Sequence, residues 1–237
     1  MTAQKTVLIT GNSSGIGHGL TQEYLARGRT VYGVSRRGCA IEHENLHDVR
    51  CDLADFALIG PALATLLQGV DHLDLVVLNA GILGTIGELH AAPMDAVKQV
   101  MDINLWSNKA IMDWLHASPL SITQVVFMSS GAAVNGNKGW SGYALSKAAL
   151  NMMAQLYVHE FPDTHIAAFA PGLVHTQMQD TIRDTVDSRR YPSTQALKDA
   201  IGTPLMPESR AAGRLLATAF EKLPRHPSGS FLDIRTS

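Results

Sequence analysis

The sequence has little of what marks secreted, membrane-spanning or nucleic-acid-binding proteins. Only two of its 237 residues are cysteine, Cys39 and Cys51, and they lack C-x-x-C spacing, so we expect no disulfide framework and a reducing, cytoplasmic setting. No apolar run reaches the roughly 20 residues of a membrane span, and the first ten residues lack the apolar region of a secretory signal. The formal net charge of −2 and the lack of a basic cluster argue against nucleic acid or a membrane surface as partners.

The chain also lacks signs of division into several domains. It has no Pro-, Gly- or Ser-rich linker, no charge block and no internal repeat, and 46% of its residues are hydrophobic. We therefore predict one domain over residues 1–237. His43 and His47 stand four residues apart among acidic residues, but no H-E-x-x-H motif or cysteine cluster accompanies them. We interpret that stretch as a solvated loop and predict no metal site.

Short apolar runs alternate with helical patterns along the chain. Strands are predicted at 6–10, 30–35, 48–52, 73–79, 123–129, 164–170 and 229–234. Helices are predicted at 15–28, 54–68, 93–116, 141–160 and 207–222. Nearly continuous apolar strands indicate burial on both faces, as in a parallel sheet covered by helices. The sequence thus predicts a single-domain α/β protein with a doubly wound Rossmann fold, about seven parallel strands and helices on both faces.

A glycine-rich turn follows the first predicted strand. In "TGNSSGIG", Gly11, Gly15 and Gly17 permit a tight turn, and the following helix directs its N-terminus at whatever anion lies there. This pattern predicts a site for the phosphates of a dinucleotide. An ordinary strand-to-helix turn without a ligand is the alternative interpretation. "GNSSG" also fits the nucleophile elbow of α/β-hydrolases, with Ser13 as nucleophile. That alternative is weaker because only ten residues precede the motif and no later histidine stands at a convincing position.

Two arginines follow the second predicted strand. In a dinucleotide site an acidic residue at this point holds the ribose 2′-hydroxyl of NAD, whereas arginine accommodates the 2′-phosphate of NADP. This chain has Ser35, Arg36 and Arg37, with no acid among them. We therefore predict NADP(H) as the preferred cofactor, with NAD(H) possible and Arg36 the stronger contact. A solvated arginine pair is the alternative interpretation.

Tyr143 and Lys147 stand four positions apart on a predicted helix, so their side chains share one face. The surrounding motifs resemble those of the short-chain dehydrogenase/reductase family, in order and at the family's spacing. They are "TGNSSGIG" (10–17), "CDL" (51–53), "LNAG" (78–81), "MDINL" (101–105), "MSSG" (128–131), "YALSK" (143–147) and "PGLVHT" (171–176). The resemblance covers nearly the whole chain and implies a hydride transfer between nicotinamide and a carbonyl or secondary alcohol.

The resemblance also implies catalytic roles. Tyr143 would be the general acid/base, with Lys147 as its electrostatic partner, because a nearby ammonium lowers the phenol pKa from about 10. Ser130 would donate a hydrogen bond to the substrate oxygen, and Ser129 is the alternative if the register differs. Asn104 matches the family's fourth member, which is associated with a water that links the lysine to solvent. A purely structural hydrogen bond is the other interpretation of Asn104.

Further cofactor contacts follow from the resemblance. Asp52 and Leu53 would flank the adenine, whereas the "NAG" segment would line the ribose and the "PGLVHT" segment would close over the nicotinamide. The predicted cofactor residues are Gly11, Asn12, Ser13, Ser14, Gly15, Ile16, Gly17, Ser35, Arg36, Arg37, Asp52, Leu53, Asn79, Ala80, Gly81, Tyr143, Lys147, Pro171, Gly172, Val174 and Thr176.

The remaining inferences concern substrate and partners. The family places a substrate lid at 177–206, where Arg183, Arg189 and Arg190 could form a cationic rim or lie free in solvent. Leu83, Gly84 and Trp140 are further candidate lining residues, and the sequence identifies no particular carbonyl or alcohol substrate. A helix stripe of Met152, Met153, Leu156 and Tyr157 could be core or subunit interface, and we expect a homo-oligomer, a dimer or tetramer. The alternative function is a non-catalytic NADP(H)-binding regulatory or sensor protein.

Overall fold

A seven-stranded parallel sheet forms the centre of the computed structural model, which describes residues 5–236. Its strands are β1 (Thr6–Thr10), β2 (Thr30–Ser35), β3 (Leu46–Arg50), β5 (Leu75–Leu78), β7 (Gln124–Met128), β8 (His165–Ala170) and β9 (Phe231–Asp233). The spatial order is β3-β2-β1-β5-β7-β8-β9, with every neighbouring pair parallel. Two short strands, β4 (His72–Leu73) and β6 (Ser121–Ile122), pair separately. The predicted doubly wound Rossmann fold is confirmed.

Eight α-helices are described within residues 5–236. They are α1 (Gly15–Ala26), α2 (Phe56–Leu66), α3 (Met94–Met101), α4 (Ser107–Ala117), α5 (Ser141–Tyr157), α6 (Gln177–Thr185), α7 (Ser193–Ala200) and α8 (Ser209–Phe220). The single helix predicted at 93–116 is α3 and α4 joined by a π-helical turn, Asp102–Trp106. Within the predicted lid, α6 and α7 are two short helices. No helix in the described part of the chain is long and apolar enough to cross a membrane.

The apolar strands separate two hydrophobic cores. Alternate residues of β1 show the division, since Leu8 packs on one face of the sheet with α2, α4 and α5, whereas Val7 and Ile9 pack on the other with α1 and α8. Every residue of β5 and β7 is buried, which explains why these strands lack polar alternation. Because both faces are covered, the carboxyl edge of the sheet is where polar side chains from several strands can meet.

Candidate active site

A cleft of about 460 Å³ opens at the carboxyl ends of β1, β2, β5 and β7. Most residues predicted to bind the cofactor line it. These are Gly11, Ser13, Ser14, Gly15, Ile16, Ser35, Arg36, Arg37, Asp52, Leu53, Asn79, Ala80, Gly81, Tyr143, Lys147, Pro171 and Thr176. Six predicted site residues stand outside this lining, namely Asn12, Gly17, Asn104, Ser130, Gly172 and Val174. The topology therefore gathers segments that are far apart in sequence around one space.

The glycine turn brings the start of α1 against the ends of β1 and β5. A Cβ atom at Gly17 would overlap the carbonyl oxygen of Gly11 and lie 2.6 Å from Nδ2 of Asn79, so only glycine allows this close approach. Ser14 occupies the N-cap position of α1, yet no capping hydrogen bond from its side chain is described within residues 5–236. The first N–H groups of α1 are thus left to face the cleft, as an anion site at a helix N-terminus requires.

Asn12 points away from the cleft. Its side chain is fully buried, and Nδ2 donates to Oδ1 of Asp48 on β3 at 2.6 Å. Gly33 on β2 makes room for it, because a Cβ there would overlap the Asn12 amide. Asn12 therefore braces the glycine turn against the sheet edge. The sequence placed Asn12 among the cofactor contacts because the motif does not show on which side of the turn a side chain lies.

The end of β2 supplies a cationic wall with one unpaired buried hydroxyl. Arg36 and Arg37 are exposed at the cleft, and Nη2 of Arg37 donates to Oγ of Ser14 at 2.9 Å. Ser35 is 3% exposed, and its hydroxyl has no hydrogen-bond partner among the described residues. A buried hydroxyl without a partner costs free energy unless something else binds it. This wall suits a ligand that brings negative charge and hydrogen-bonding oxygens.

Thr10 ties the end of β5 to the glycine turn and was missed by the sequence analysis. Its buried hydroxyl accepts hydrogen bonds from the backbone N–H groups of Asn79, at 2.9 Å, and Ala80, at 3.0 Å. Nδ2 of Asn79 donates in turn to the Thr10 carbonyl oxygen at 2.9 Å. These bonds fix the "NAG" segment as the floor of the cleft. A threonine that ends an apolar strand was the only sequence signal available.

Tyr143 and Lys147 line the cleft, and the Ser130 side chain interacts with the Tyr143 phenol from outside that lining. Interaction with the Ser130 side chain lowers the pKa of the Tyr143 phenol, but burial is the larger effect and leaves that pKa raised. Lys147 is 5% exposed, its Nζ donates to the Met128 carbonyl oxygen at 2.7 Å, and burial lowers its pKa to about 8. That Nζ lies 5.8 Å from the centre of the Tyr143 ring. The alternative Ser129 instead donates to Oδ1 of Asn151 at 2.5 Å.

The raised pKa of Tyr143 differs from the sequence-based expectation. We expected the Lys147 ammonium to lower it, but burial raises the pKa of Tyr143 by more than the Ser130 side chain lowers it. A phenol in this setting stays protonated at neutral pH. It is therefore suited to donate a proton, which is the role that reduction of a carbonyl needs.

Asn104 lies in the π-helical turn, and hydrogen bonds occupy its whole side-chain amide. Oδ1 accepts from the Ile82 N–H at 2.8 Å, and Nδ2 donates to the Ile82 carbonyl at 2.9 Å and to Oγ of Ser146 at 3.0 Å. The backbone carbonyl oxygen of Asn104 accepts a hydrogen bond from Nδ2 of Asn108 at 2.8 Å. Asn104 thus clamps the segment after β5 to the catalytic helix. π-turns often occur at functional sites, and this one carries Asn104.

The other predicted contacts fall into two groups. Pro171 and Thr176 line the cleft, whereas Val174 is buried beneath them and Gly172 packs against Ile234 of the C-terminal segment. Helix α6 adds Gln177, Met178 and Thr181 to the lining. The sequence analysis did not assign Cys51, Ile103 and Met128 to the site, although each belongs to a quoted motif, nor Ile82, which follows one; Ser129 also lines the cleft. Leu83 lines the cleft as predicted, but Gly84 and Trp140 do not.

Comparison with known proteins identifies the family. The family model of the short chain dehydrogenases matches residues 5–187. The chain belongs to the short-chain dehydrogenases. A benzil reductase ((S)-benzoin forming) of Saccharomyces cerevisiae is 33% identical over 202 residues, which cover 77% of this chain and 76% of that protein. A benzil reductase of the same description from Bacillus subtilis is 30% identical over 189 residues, covering 75% and 78%. The crystal structure of KRED1-Pglu superposes with a TM-score of 0.81 at 25% identity, covering 96% of this chain and 100% of that chain.

Membership in the short-chain dehydrogenases makes this protein an oxidoreductase that uses a nicotinamide cofactor on a small carbonyl or alcohol substrate. The residues fit such a cofactor, because the uncapped start of α1 (Gly15 and Ile16), Ser35 and the two arginines line one cleft. The hydrolase alternative is set aside, and no histidine ring hydrogen-bonds Ser13 within the described chain. Residues 5–236 contain no group of three or more His, Cys, Asp or Glu side chains arranged to hold a metal.

Proposed function

We propose that this short-chain dehydrogenase is an NADPH-dependent carbonyl reductase in which Tyr143 donates the proton. One observation carries the proposal: Tyr143 and Lys147 line a cleft that also holds Arg36 and Arg37, and the Ser130 side chain interacts with the Tyr143 phenol. This arrangement joins a proton donor to a site for a phosphorylated dinucleotide. A protein that only binds the dinucleotide has no need of such a donor.

The chemistry assigned to the chain follows from these side chains. When bound, NADPH supplies a hydride to the substrate's carbonyl carbon. The Ser130 hydroxyl donates a hydrogen bond to the substrate's carbonyl oxygen, and Tyr143 transfers its phenolic proton to that oxygen as negative charge develops on it. The Lys147 ammonium, whose pKa is about 8, stabilises the tyrosinate electrostatically until a proton from solvent restores the phenol. Asn104 keeps the segment at Ile82 in place beside this group.

The preference for NADPH rests on the end of β2. Arg36 and Arg37 offer two guanidinium groups to the 2′-phosphate, and the hydrogen bond from Arg37 to Ser14 keeps that side chain at the cleft. Ser35 supplies a hydroxyl that is still free to bond. An acidic residue, which would favour the 2′-hydroxyl of NADH, does not stand among these three positions.

The proposed substrate is an uncharged, largely apolar ketone or diketone. The charged residues that line the cleft are Arg36, Arg37, Asp52 and Lys147, all assigned above to cofactor or catalysis. The remaining walls include the apolar side chains of Ile82, Leu83 and Met178, the last from the segment 177–206 that we propose as the substrate lid.

Other features support the same substrate class. Arg183 of the lid is paired with Asp180 at 2.8 Å and Asp184 at 2.7 Å, so the cationic rim suggested by the sequence is largely neutralised there. The benzil reductases of Saccharomyces cerevisiae and Bacillus subtilis, to which the chain is similar, are named for benzil, an uncharged aromatic diketone. We therefore propose compounds of this type as the first substrates to examine.

We also propose that the protein is a homo-oligomer in the cytoplasm. Of the predicted stripe on α5, Met153 and Tyr157 belong to the core, whereas Met152 and Leu156 are 54% and 58% exposed. Leu145 continues the exposed apolar face along the same helix. A second copy of the chain would cover such a face. The two free cysteines are consistent with a reducing compartment.

The test is consumption of NADPH, and separately of NADH, with benzil and a panel of other ketones and aldehydes. We expect NADPH to be consumed with apolar ketones, NADH to be consumed much more slowly, and Tyr143→Phe to be inactive. Binding of NADPH without turnover of any carbonyl would instead favour the regulatory, non-catalytic alternative. Charged keto acids turned over faster than benzil would contradict the proposed substrate class.

A further inference from the structure

Glu88 lies in the loop after β5, and its carboxylate joins two other segments of the chain. Arg190 donates from Nε to Oε1 at 2.9 Å and from Nη2 to Oε2 at 2.8 Å, which is a two-point contact. The Tyr191 hydroxyl donates to Oε2 at 2.7 Å, and Nζ of Lys138 lies 3.6 Å from Oε1. We call these four residues, Glu88, Lys138, Arg190 and Tyr191, the Glu88 latch.

The backbone around the latch holds the same three segments in contact. The N–H of Gly87 donates to the Gly139 carbonyl oxygen at 2.8 Å. Tyr191 is 7% exposed, and its ring lies against Gly139, where a Cβ would stand only 2.5 Å from Cδ1 of the ring. Gly139 has a φ of +94°, so a larger residue is disfavoured by its backbone as well. Tyr191 therefore packs the lid segment at one defined position beside the start of α5.

Trp140 connects the lid segment to Tyr143, the proposed proton donor. Trp140 immediately precedes α5, and its Nε1 donates to Oγ of Ser193, the first residue of α7, at 2.9 Å. The Trp140 and Tyr143 rings pack with their centres 5.8 Å apart. Because Trp140 joins the lid to the ring of Tyr143, the position of the lid and the shape of the space beside the phenol are coupled.

The ion pair between Glu88 and Arg190 does not depend on pH in the range in which the protein would work. Its hydrogen bonds with Arg190 and Tyr191 lower the pKa of Glu88 to about 2. The carboxylate is therefore ionised over the whole range in which the protein would work. The two cationic groups also lie over the Tyr191 ring, Lys138 at 5.7 Å and Arg190 at 5.6 Å from its centre. None of the four residues lines the cofactor cleft.

We propose that Glu88 is a positioning residue for the substrate, which holds residues 190–193 of the lid against the start of α5. This inference rests on the proposed function, since it takes residues 177–206 as the lid and Tyr143 as the proton donor. With the latch intact, the lid and Trp140 form a preset wall beside Tyr143. Without it, the substrate must order that wall itself, and apparent affinity for substrate falls while cofactor binding does not.

The kinetic test compares Glu88→Gln and Arg190→Ala with wild type, using NADPH and benzil. Arg189→Ala is the matched control, because Arg189 is the exposed neighbour and no ion pair of its side chain is described within residues 5–236. We expect each latch variant to raise KM for benzil about five-fold or more, while the Kd for NADPH and the melting temperature stay close to wild type. The double variant should raise KM no more than the more severe single variant does, because both substitutions remove the same interaction between Glu88 and Arg190.

Hydrogen exchange tests the latch without any turnover. In Glu88→Gln, amides of residues 186–200 should exchange faster than in wild type and in Arg189→Ala, whereas those of α8 should not change. If wild type reduces no carbonyl but this difference is found, the proposed function fails and the latch stands. The latch is overturned if exchange in residues 186–200 is the same in all three proteins. It is also overturned if an active enzyme keeps its KM in both latch variants.

Discussion

Removing Arg36 should weaken NADPH binding and leave NADH binding nearly unchanged. Arg36 is exposed at the end of β2, so a guanidinium–phosphate contact there is partly screened by water. Hydrogen bonds to charged groups contribute about 1.5–3 kcal/mol, and exposure places this contact at the low end of that range. A loss of about 1.4 kcal/mol corresponds to about a ten-fold rise in the Kd of NADPH for Arg36→Ala. NADH lacks the 2′-phosphate, so we expect its Kd to change by less than about two-fold.

Removing Arg37 as well as Arg36 gives a stronger test of the same prediction. Arg37 already donates to Ser14 at 2.9 Å, so Arg37→Ala also removes a contact to the glycine turn. If the two losses add, the double variant should bind NADPH about 100-fold more weakly than wild type. Arg225→Ala is the control, because this exposed arginine lies beyond α8 and outside the cleft lining. The assay is calorimetric titration of each variant with both cofactors. Equal weakening of NADPH and NADH, or no weakening of NADPH in the double variant, would refute this assignment.

Three further predictions concern stability. Asn104→Ala should lower the free energy of unfolding by about 2–4 kcal/mol in urea titrations, since a fully buried amide loses three side-chain hydrogen bonds. An unchanged midpoint would contradict the role of Asn104 as a clamp. Gly17→Ala should cost about 1–3 kcal/mol in the same assay, because a Cβ has no room there. Hydrogen bonds to Glu208 and Asp180 raise the pKa of His175, so its charged form stabilises the fold. The difference in free energy of unfolding between wild type and His175→Gln should be largest below about pH 6.5 and should disappear as pH rises through the pKa of His175 in the folded state. A difference that does not change with pH would exclude this effect.

The sheet could be predicted from the sequence because its signal is local. The strands at 6–10 and 30–35 were predicted at their observed bounds, since each is a short β-branched run between a polar start and a turn. The edge strand was predicted at 48–52 but lies at Leu46–Arg50. Its residues are partly exposed, so the pattern of continuous apolar burial that located the inner strands is absent there.

The parts that could not be predicted depend on contacts between distant segments. In the π-helical turn at Asp102–Trp106 the Asn104 amide bonds Ile82 and Ser146, neither of which is its neighbour in sequence. The motif around Asn12 likewise gives no sign that its side chain turns towards Asp48. The partners of Glu88 lie 50 and about 100 residues away, and no spacing rule links them.

The central claim is that Tyr143 donates the proton in an NADPH-dependent reduction. The most direct measurement is the rate of NADPH oxidation with benzil for wild type and Tyr143→Phe, together with the Kd of NADPH for both. We predict that the variant loses at least about 100-fold in rate while its Kd for NADPH stays within a few-fold of wild type, because Tyr143 is one of many predicted cofactor contacts whereas proton transfer depends on its phenol oxygen. A variant that keeps its rate, or a wild type that binds NADPH but reduces neither benzil nor any other carbonyl offered, would contradict the account.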